Sequence, residues 1–208
     1  MTSPPVVRYL HYRGTPVTSA DRELWLMARD RGVTATDCAK IVRKDGTPSA
    51  QRRTLMAQKL YGLRGRDLAV YAHGREREPL IAAWVEAEFG IPHNQHLCVG
   101  EDDRHMATPD ALGREGIAEF KTATQPIERA VRTYWDQLQW QMHVLRTERV
   151  LFVVEHRHSL EREWRWVHRD EARIRVLVAH ADRFIAELEA RRAQRRRLHE
   201  EARAAAGH

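Results

Sequence analysis

The sequence predicts an α/β (α+β) domain built on a small mixed sheet. Short helical stretches fill the first part of the chain, and a glycine-punctuated hairpin pattern occupies residues 105–121. After the hairpin come a helical pattern, two strand patterns and a final helical pattern. Helices and strands interleaved in this way close one core around one sheet.

Residues 1–18 carry Pro4, Pro5, Gly14 and Pro16 and read as an irregular lead-in. Thr18 or Ser19 can cap a helix over 20–31, with Asp21 and Glu23 in its first turn and Leu24, Trp25, Met27 and Ala28 as its apolar residues. The helix stops near Gly32. Thr34 or Thr36 opens a second short helix through Ile41, and KDGTPS forms a loop. Thr47 or Ser49 can cap a third helix through Leu60, broken by Gly62 and Gly65. The run HGREREPLIAAWVEAEF, residues 73–89, predicts an amphipathic helix that turns Leu80, Ile81, Trp84, Val85 and Phe89 to the core and ends at Gly90.

Residues 95–99 read as a strand, and the hairpin follows. Met106, Ala107 and Thr108 form its first arm, residues 113–116 the turn and residues 117–121 the second arm. A helix over 127–145 places Val131, Trp135, Leu138, Met142 and Leu145 on its core stripe. VLFVVE, residues 150–155, is apolar on both faces and predicts a buried strand. Trp164, Trp166 and His168 alternate with Arg165 and Val167 in a partnered strand. A long helix spans 170–203, apolar at Ile174, Leu177, Val178, Ala181, Phe184, Ile185 and Leu188. Past Leu188 the stripe fades, which predicts a solvated helix fraying into disorder. The division is one domain over 1–190: a helical part at about 19–62, a core at about 73–168 and a C-terminal helix at about 170–190. A basic tail follows at 191–208.

A chain of 208 residues suffices for a sizeable core. Lys and Arg total 35 against 29 Asp and Glu, a net charge of +6 that favours a polyanionic partner such as nucleic acid. Cys38 and Cys98 are the two cysteines, which excludes a thiolate zinc or iron–sulfur cluster and fits a reducing compartment. No apolar run approaches the ~18 residues that span a bilayer, and the first residues lack a signal-peptide stretch, so no membrane role and an intracellular location are expected.

The chemistry concentrates in HMATPDALGREGIAEFK. Glu119 and Lys121 are two apart on one strand and share a face; Ala118 and Phe120 share the other. Asp110, nine residues before Glu119, can be brought over the same face. Two carboxylates and an ammonium suit a hard divalent cation and a polarised water. Taken as spacing alone, the same residues also describe two strands with surface charges, Lys121 paired to an acid.

MATPDAL…GIAEFKTAT resembles the signature of the PD-(D/E)XK nuclease superfamily, with Pro109-Asp110 and Glu119-Phe120-Lys121 at its two motifs. Three further stretches are similar to the YqaJ-like viral recombinase and lambda exonuclease branch. They are GREREPLI with Glu78, RDRGVTATDCAKI with Arg29 and Thr36, and YWDQLQWQM with Tyr134, Gln137, Gln139 and Met142. The resemblance covers residues 25–145 and implies a restriction-endonuclease-like core, a small mixed sheet flanked by helices.

It implies that Asp110, Glu119 and the backbone carbonyl of Phe120 ligate Mg²⁺ or Mn²⁺, with Glu78 approaching directly or through water, and leaves open one metal or two. Lys121 would orient or deprotonate the attacking water, and Gln137 would reach the site from the next helix. Arg29 and Thr36 would bind a terminal 5′-phosphate, Thr36 standing where the branch has serine. The implied activity is a metal-dependent exonuclease working 5′→3′ on linear double-stranded DNA. It would leave 3′ overhangs for phage-type recombination with a single-strand annealing protein, in a bacterial or phage-infected cell. Relatives often close into a ring, commonly a trimer. Only 15 residues separate Lys121 from Gln137, so a long insertion there is absent. A DNA endonuclease or nickase of the same fold, or a non-catalytic DNA-binding protein, are the alternatives.

Gln141, four residues after Gln137, reads equally as a site residue or a partly exposed polar one. His93, His96 and His105 fit no common zinc spacing. Trp84 and Trp135 fall on core stripes, whereas Trp164 and Trp166 stay open between packing and base stacking. The arginines of 191–197 are mixed with Glu200 and Glu201 and read as a solvated helix face.

Overall fold

The computed structural model describes residues 4–63 and 69–206; the expected break at Gly65 lies outside them. The architecture is mixed α/β, as the order of elements predicts. A two-residue ribbon, β1 (His11–Tyr12) and β2 (Thr15–Pro16), leads into α1 (Arg22–Arg29). Asp21 caps α1 by accepting the Leu24 N–H at 3.1 Å, in place of Thr18 or Ser19. Next come β3 (Val33–Thr34), a 3-10 turn (Ala35–Asp37), α2 (Cys38–Ile41), α3 (Arg52–Tyr61) and α4 (Ala69–Phe89). Thr34 opens the turn through a reciprocal box with Asp37, whose carboxylate accepts the Thr34 N–H at 2.9 Å. Gly62 ends α3 in the left-handed region at φ 65°, a conformation open to glycine without steric cost.

The remaining elements are β4 (Cys98–Val99), β5 (His105–Ala107), β6 (Ala111–Gly113), β7 (Gly116–Ala123), α5 (Ile127–Leu145), β8 (Arg149–His156), β9 (Arg162–His168) and α6 (Glu171–Ala206). The main sheet runs β6-β7-β8-β9. β6 and β7 are an antiparallel hairpin, α5 carries the chain across to β8, which is parallel to β7, and β9 returns antiparallel. Alternation along β7 and β8 splits the core in two. Ile117, Phe152 and Val154 pack with α5 and α6, whereas Ala118, Phe120, Leu151 and Val153 pack against Ile81, Ala82 and Val85 of α4. Phe152 and Trp140 are fully buried, and truncating either to alanine is expected to cost about 3–5 kcal/mol.

Four further expectations are corrected. The partner arm of β7 is Ala111–Gly113, not Met106–Thr108. β5 is already paired on both sides, by β3 and β4, and Pro109 interrupts the strand after it. Asn94 holds that break, giving its amide to the Pro109 carbonyl at 2.9 Å and its N–H to the Asp110 carbonyl at 2.9 Å. Leu80 is exposed, because Ile81, Ala82 and Val85 take the buried side of α4. α3 begins at Arg52 after a Gln51 cap; the Ser49 hydroxyl accepts the Gln51 N–H and its carbonyl the Arg52 N–H.

The fourth concerns the tail: the helix continues to Ala206 without fraying, and two arginines of its otherwise exposed face dock on the N-terminal helices. Arg192 donates to the carbonyls of Asp30 and Lys59 at 2.9 and 3.0 Å, and Arg195 to that of Leu60 at 2.6 Å. These are the terminal carbonyls of α1 and α3, where helix dipoles favour a cation.

Candidate active site

β7 presents Glu119 and Lys121 to the face covered by α5. Glu119 is 2% exposed, and both of its oxygens are engaged. Oε1 accepts from Lys121 Nζ and from Gln137 Nε2; Oε2 accepts from Gln141 Nε2. Gln137 and Gln141 are one helical turn apart on α5, so a single helix face holds the carboxylate from above. Gln141 is 1% exposed, and its Oε1 has no hydrogen-bond partner. Lys121 also sits 5.1 Å from the centre of the Tyr134 ring, which explains a tyrosine one turn before Gln137.

Asp110 stands just before β6, at the end of the hairpin away from the turn. Its Oδ2 accepts the Phe120 N–H at 2.6 Å. In a strand the N–H and C=O of one residue point to the same edge, so the Phe120 carbonyl also faces Asp110, past the last β6 pair, Ala111 with Ala118. The Phe120 ring lies on the opposite face, in the α4 core. Burial and then the Glu119 carboxylate push the Asp110 carboxyl well above the usual range, against the pull of Lys121. Burial disfavours the Lys121 ammonium, yet Glu119 and Asp110 outweigh it and hold Lys121 above its ordinary value. With both acids facing it, Lys121 carries a positive charge in this arrangement.

Glu78 enters from α4, its Oε1 3.2 Å from His93 Nε2. Its neighbour Arg77 is pinned by the fully buried Glu155 of β8 through two hydrogen bonds of 2.7 and 3.1 Å, and Arg162 adds a third at 2.9 Å. The side of α4 that bears Glu78 is thereby tied to the main sheet.

From the N-terminal helices Arg29 donates to Thr36 Oγ1 at 2.8 Å and to Thr34 Oγ1 at 3.2 Å. The guanidinium stacks 3.9 Å from the centre of the Trp25 ring, and Trp25 Nε1 donates to Thr108 at 3.2 Å. One cleft of about 410 Å³ is lined by Arg29, Thr36, Glu78, Asp110, Glu119, Lys121 and Gln137, together with Trp25, His93 and Gln141. All seven side chains singled out in the sequence therefore meet in one place.

Others do not. Gln139 is spent on structure, donating to the His168 carbonyl and accepting the Asp170 N–H. His105 leaves the histidine group to pair with His143 and Asp182 in a separate cavity. Trp25 and His93 carry no spacing signal that marks them as cleft residues; for Gln141 the signal is the i, i+4 step from Gln137.

Among the described residues no three His, Cys, Asp or Glu side chains form a ready metal cage. The donor set still suits a hard cation: two carboxylates in mutual repulsion, a carbonyl beside them, and an unsatisfied amide oxygen on Gln141. Mg²⁺ is held by one or two carboxylates and keeps several waters. Lys121 and the two glutamine amides supply the positive partners that Glu119 has here.

The YqaJ-like viral recombinase domain matches residues 24–149, more than half of the chain. No curated protein sequence matches. The structure is similar to that of an alkaline exonuclease, LHK-Exo, from Laribacter hongkongensis, at 25% identity and a TM-score of 0.70, over 86% of this chain and 99% of that one. The same enzyme has been seen in complex with dAMP, and that structure is similar to the same degree. A phage-related exonuclease from Haemophilus somnus 129PT shares the fold at 12% identity and a TM-score of 0.61, over 77% of this chain and 96% of that one. With that match and a cleft that gathers the motif residues, the chain belongs to the YqaJ-like viral recombinase family.

Proposed function

We propose that the chain is a Mg²⁺- or Mn²⁺-dependent exonuclease that digests linear double-stranded DNA 5′→3′ and leaves 3′ overhangs for phage-type recombination. The observation that supports this reading is the shared cleft, lined both by Asp110, Glu119 and Glu78 and by the Arg29–Thr36 pair. Hydrolysis of a phosphodiester needs charge neutralisation and an activated water at one point. End recognition needs a cation and hydroxyls for a terminal phosphate at a second point. The cleft offers both.

In this reading Asp110, Glu119 and the Phe120 carbonyl hold the metal, with Glu78 reaching it directly or through water. The bound metal supplies easier ionisation of water and stabilisation of the leaving oxygen. Lys121 orients the attacking water and balances the charge of the phosphate, and Gln137 keeps Glu119 in place. Arg29 and Thr36 bind the 5′-phosphate. The retained 3′ strand would pass to a single-strand annealing protein, and the enzyme would assemble as a homotrimer around DNA. The fold similarity to exonucleases supports the reaction class.

The test compares linear duplexes bearing 5′-phosphate or 5′-hydroxyl ends with a closed circle. The expected result is fast digestion of the phosphorylated duplex, slower digestion of the hydroxyl end and an intact circle. Cleavage of the circle at a comparable rate means an endonuclease. Equal rates on the two ends, unaltered in Arg29→Ala, remove the end-recognition role.

A further inference from the structure

The Arg29–Thr36 pair rests on a second, buried pair: Asp37, which lies in the RDRGVTATDCAKI stretch, and Lys59, which no motif singles out. Lys59 of α3 is 6% exposed and Asp37 5%. Lys59 Nζ lies 2.9 Å from Asp37 Oδ2 and also donates to the Arg29 carbonyl at 2.9 Å. The same Asp37 oxygen accepts from the Thr34 N–H at 2.9 Å and the Thr34 hydroxyl at 2.8 Å. Thr34 Oγ1 in turn lies 3.2 Å from Thr36 Oγ1 and accepts from the Arg29 guanidinium. A continuous chain of polar contacts thus runs from Lys59 through Asp37 and Thr34 to the two residues that line the cleft. Arg192 of α6 closes it from behind by bonding the Lys59 and Asp30 carbonyls.

The charges matter as much as the contacts. Asp37 is one residue from Thr36, and an unneutralised carboxylate there repels an incoming anion. It would also compete for the Arg29 guanidinium, which already attracts it. We propose that Lys59 is a positioning residue for the cleft: it neutralises Asp37 and fixes the Arg29 backbone, so that the Arg29–Thr34–Thr36 cluster stays net cationic toward a 5′-terminal phosphate. This rests on the reading of Arg29 and Thr36 as the phosphate end of the cleft.

The neutralising role gives opposite signs for two substitutions at one contact. Lys59→Met leaves Asp37 as an uncompensated buried charge and is expected to lower the preference for 5′-phosphate over 5′-hydroxyl ends, as a ratio of kcat/KM, about tenfold. Asp37→Asn keeps an acceptor for the Thr34 N–H and removes the negative charge, so the preference holds or rises. A support that only braces the fold predicts a fall in both. Unpairing a buried charge destabilises the protein, so circular dichroism and a melt accompany each variant. If Lys59→Met does not fold, the Asp37→Asn/Lys59→Met pair takes its place, and its preference is expected to recover to within about threefold of the parent, since no charge is left unpaired. A fall in Asp37→Asn like that in Arg29→Ala, or an unchanged ratio in Lys59→Met, overturns the inference. A parent that shows no preference at all overturns the phosphate reading with it, whereas a parent preference lost in Arg29→Ala alone overturns only the role of Lys59.

Discussion

Asp110 accepts the main-chain N–H of Phe120 at 2.6 Å, and that bond ties the acid at the mouth of the hairpin to the strand that carries Glu119 and Lys121. Two carboxylates nine residues apart are thereby held on one side of one strand edge, with the Phe120 carbonyl between them. The consequence is a concentrated acidic site in which burial, and then repulsion from Glu119, raises the Asp110 carboxyl. A cation relieves that repulsion.

Divalent cations should therefore stabilise the folded chain. A ligand that binds only the native state adds about 2.7 kcal/mol at a hundredfold excess over its Kd. Melts with rising Mg²⁺ or Mn²⁺ are expected to shift upward for the parent and to stay flat for Asp110→Ala. An equal shift in both places the binding elsewhere.

Gln141 is expected to matter as Gln137 does. Gln141→Leu is close in volume and removes the donor to Glu119 Oε2. Activity should drop by about tenfold or more, with stability lower by roughly 1–3 kcal/mol for the lost bond to a buried charge. Single-turnover digestion and urea unfolding read the two effects separately. A variant within twofold of the parent in rate makes Gln141 a packing residue.

Glu155 is the buried hub of Arg77 and Arg162, on the strand beside Thr122. Glu155→Gln leaves two arginines facing one neutral amide and is expected to cost about 3–5 kcal/mol. Because Arg77 adjoins Glu78, the variant should also weaken the contribution of α4 to the cleft. Chemical denaturation gives the first number. A loss below 1 kcal/mol would show that the arginines find other partners.

The legible part of the fold was whatever leaves a period or a punctuation mark. α5 occupies residues 127–145 as its stripe predicts, and the apolar run 150–155 is a strand buried on both faces. Strand alternation made Glu119 and Lys121 legible as neighbours on one face, whereas their grouping with Gln137 came from the resemblance to the nuclease motifs and not from the periods. The arm facing β7 was not legible: Met106–Ala107 has the composition of a hairpin strand, but β3 and β4 claim it, and that choice is made by tertiary pairing. The docking of Arg192 and Arg195 was equally hidden. A run of arginines looks the same whether it faces water or the carbonyl ends of two other helices. Lys59 and Asp37 were invisible as a pair, since nothing in their sequence positions marks them as buried together.

The cavity holding His105, His143 and Asp182 sets an acid limit on stability. Burial, then the neighbouring His105 and Arg169 side chains, pushes the His143 imidazole from 6.5 down to about 4, against Asp182 and Glu171. The folded value lies below the unfolded one, so the unfolded chain binds the proton first as pH falls. The contribution of His143 is complete above 6.5 and is lost as pH drops through about 4, a change on the order of 2–3 kcal/mol. Melts between pH 7 and pH 4 should show this slope, and His143→Gln should flatten it. An unchanged slope in that variant assigns the acid sensitivity to other groups.

Digestion of an end-labelled linear duplex in Mg²⁺ by the parent, Asp110→Ala and Lys121→Ala tests the central claim most directly. The expected result is release of label by the parent and a loss of at least about 100-fold in both variants, each still folded by circular dichroism. Digestion by either variant at the rate of the parent would contradict the placement of the reaction at Asp110, Glu119 and Lys121.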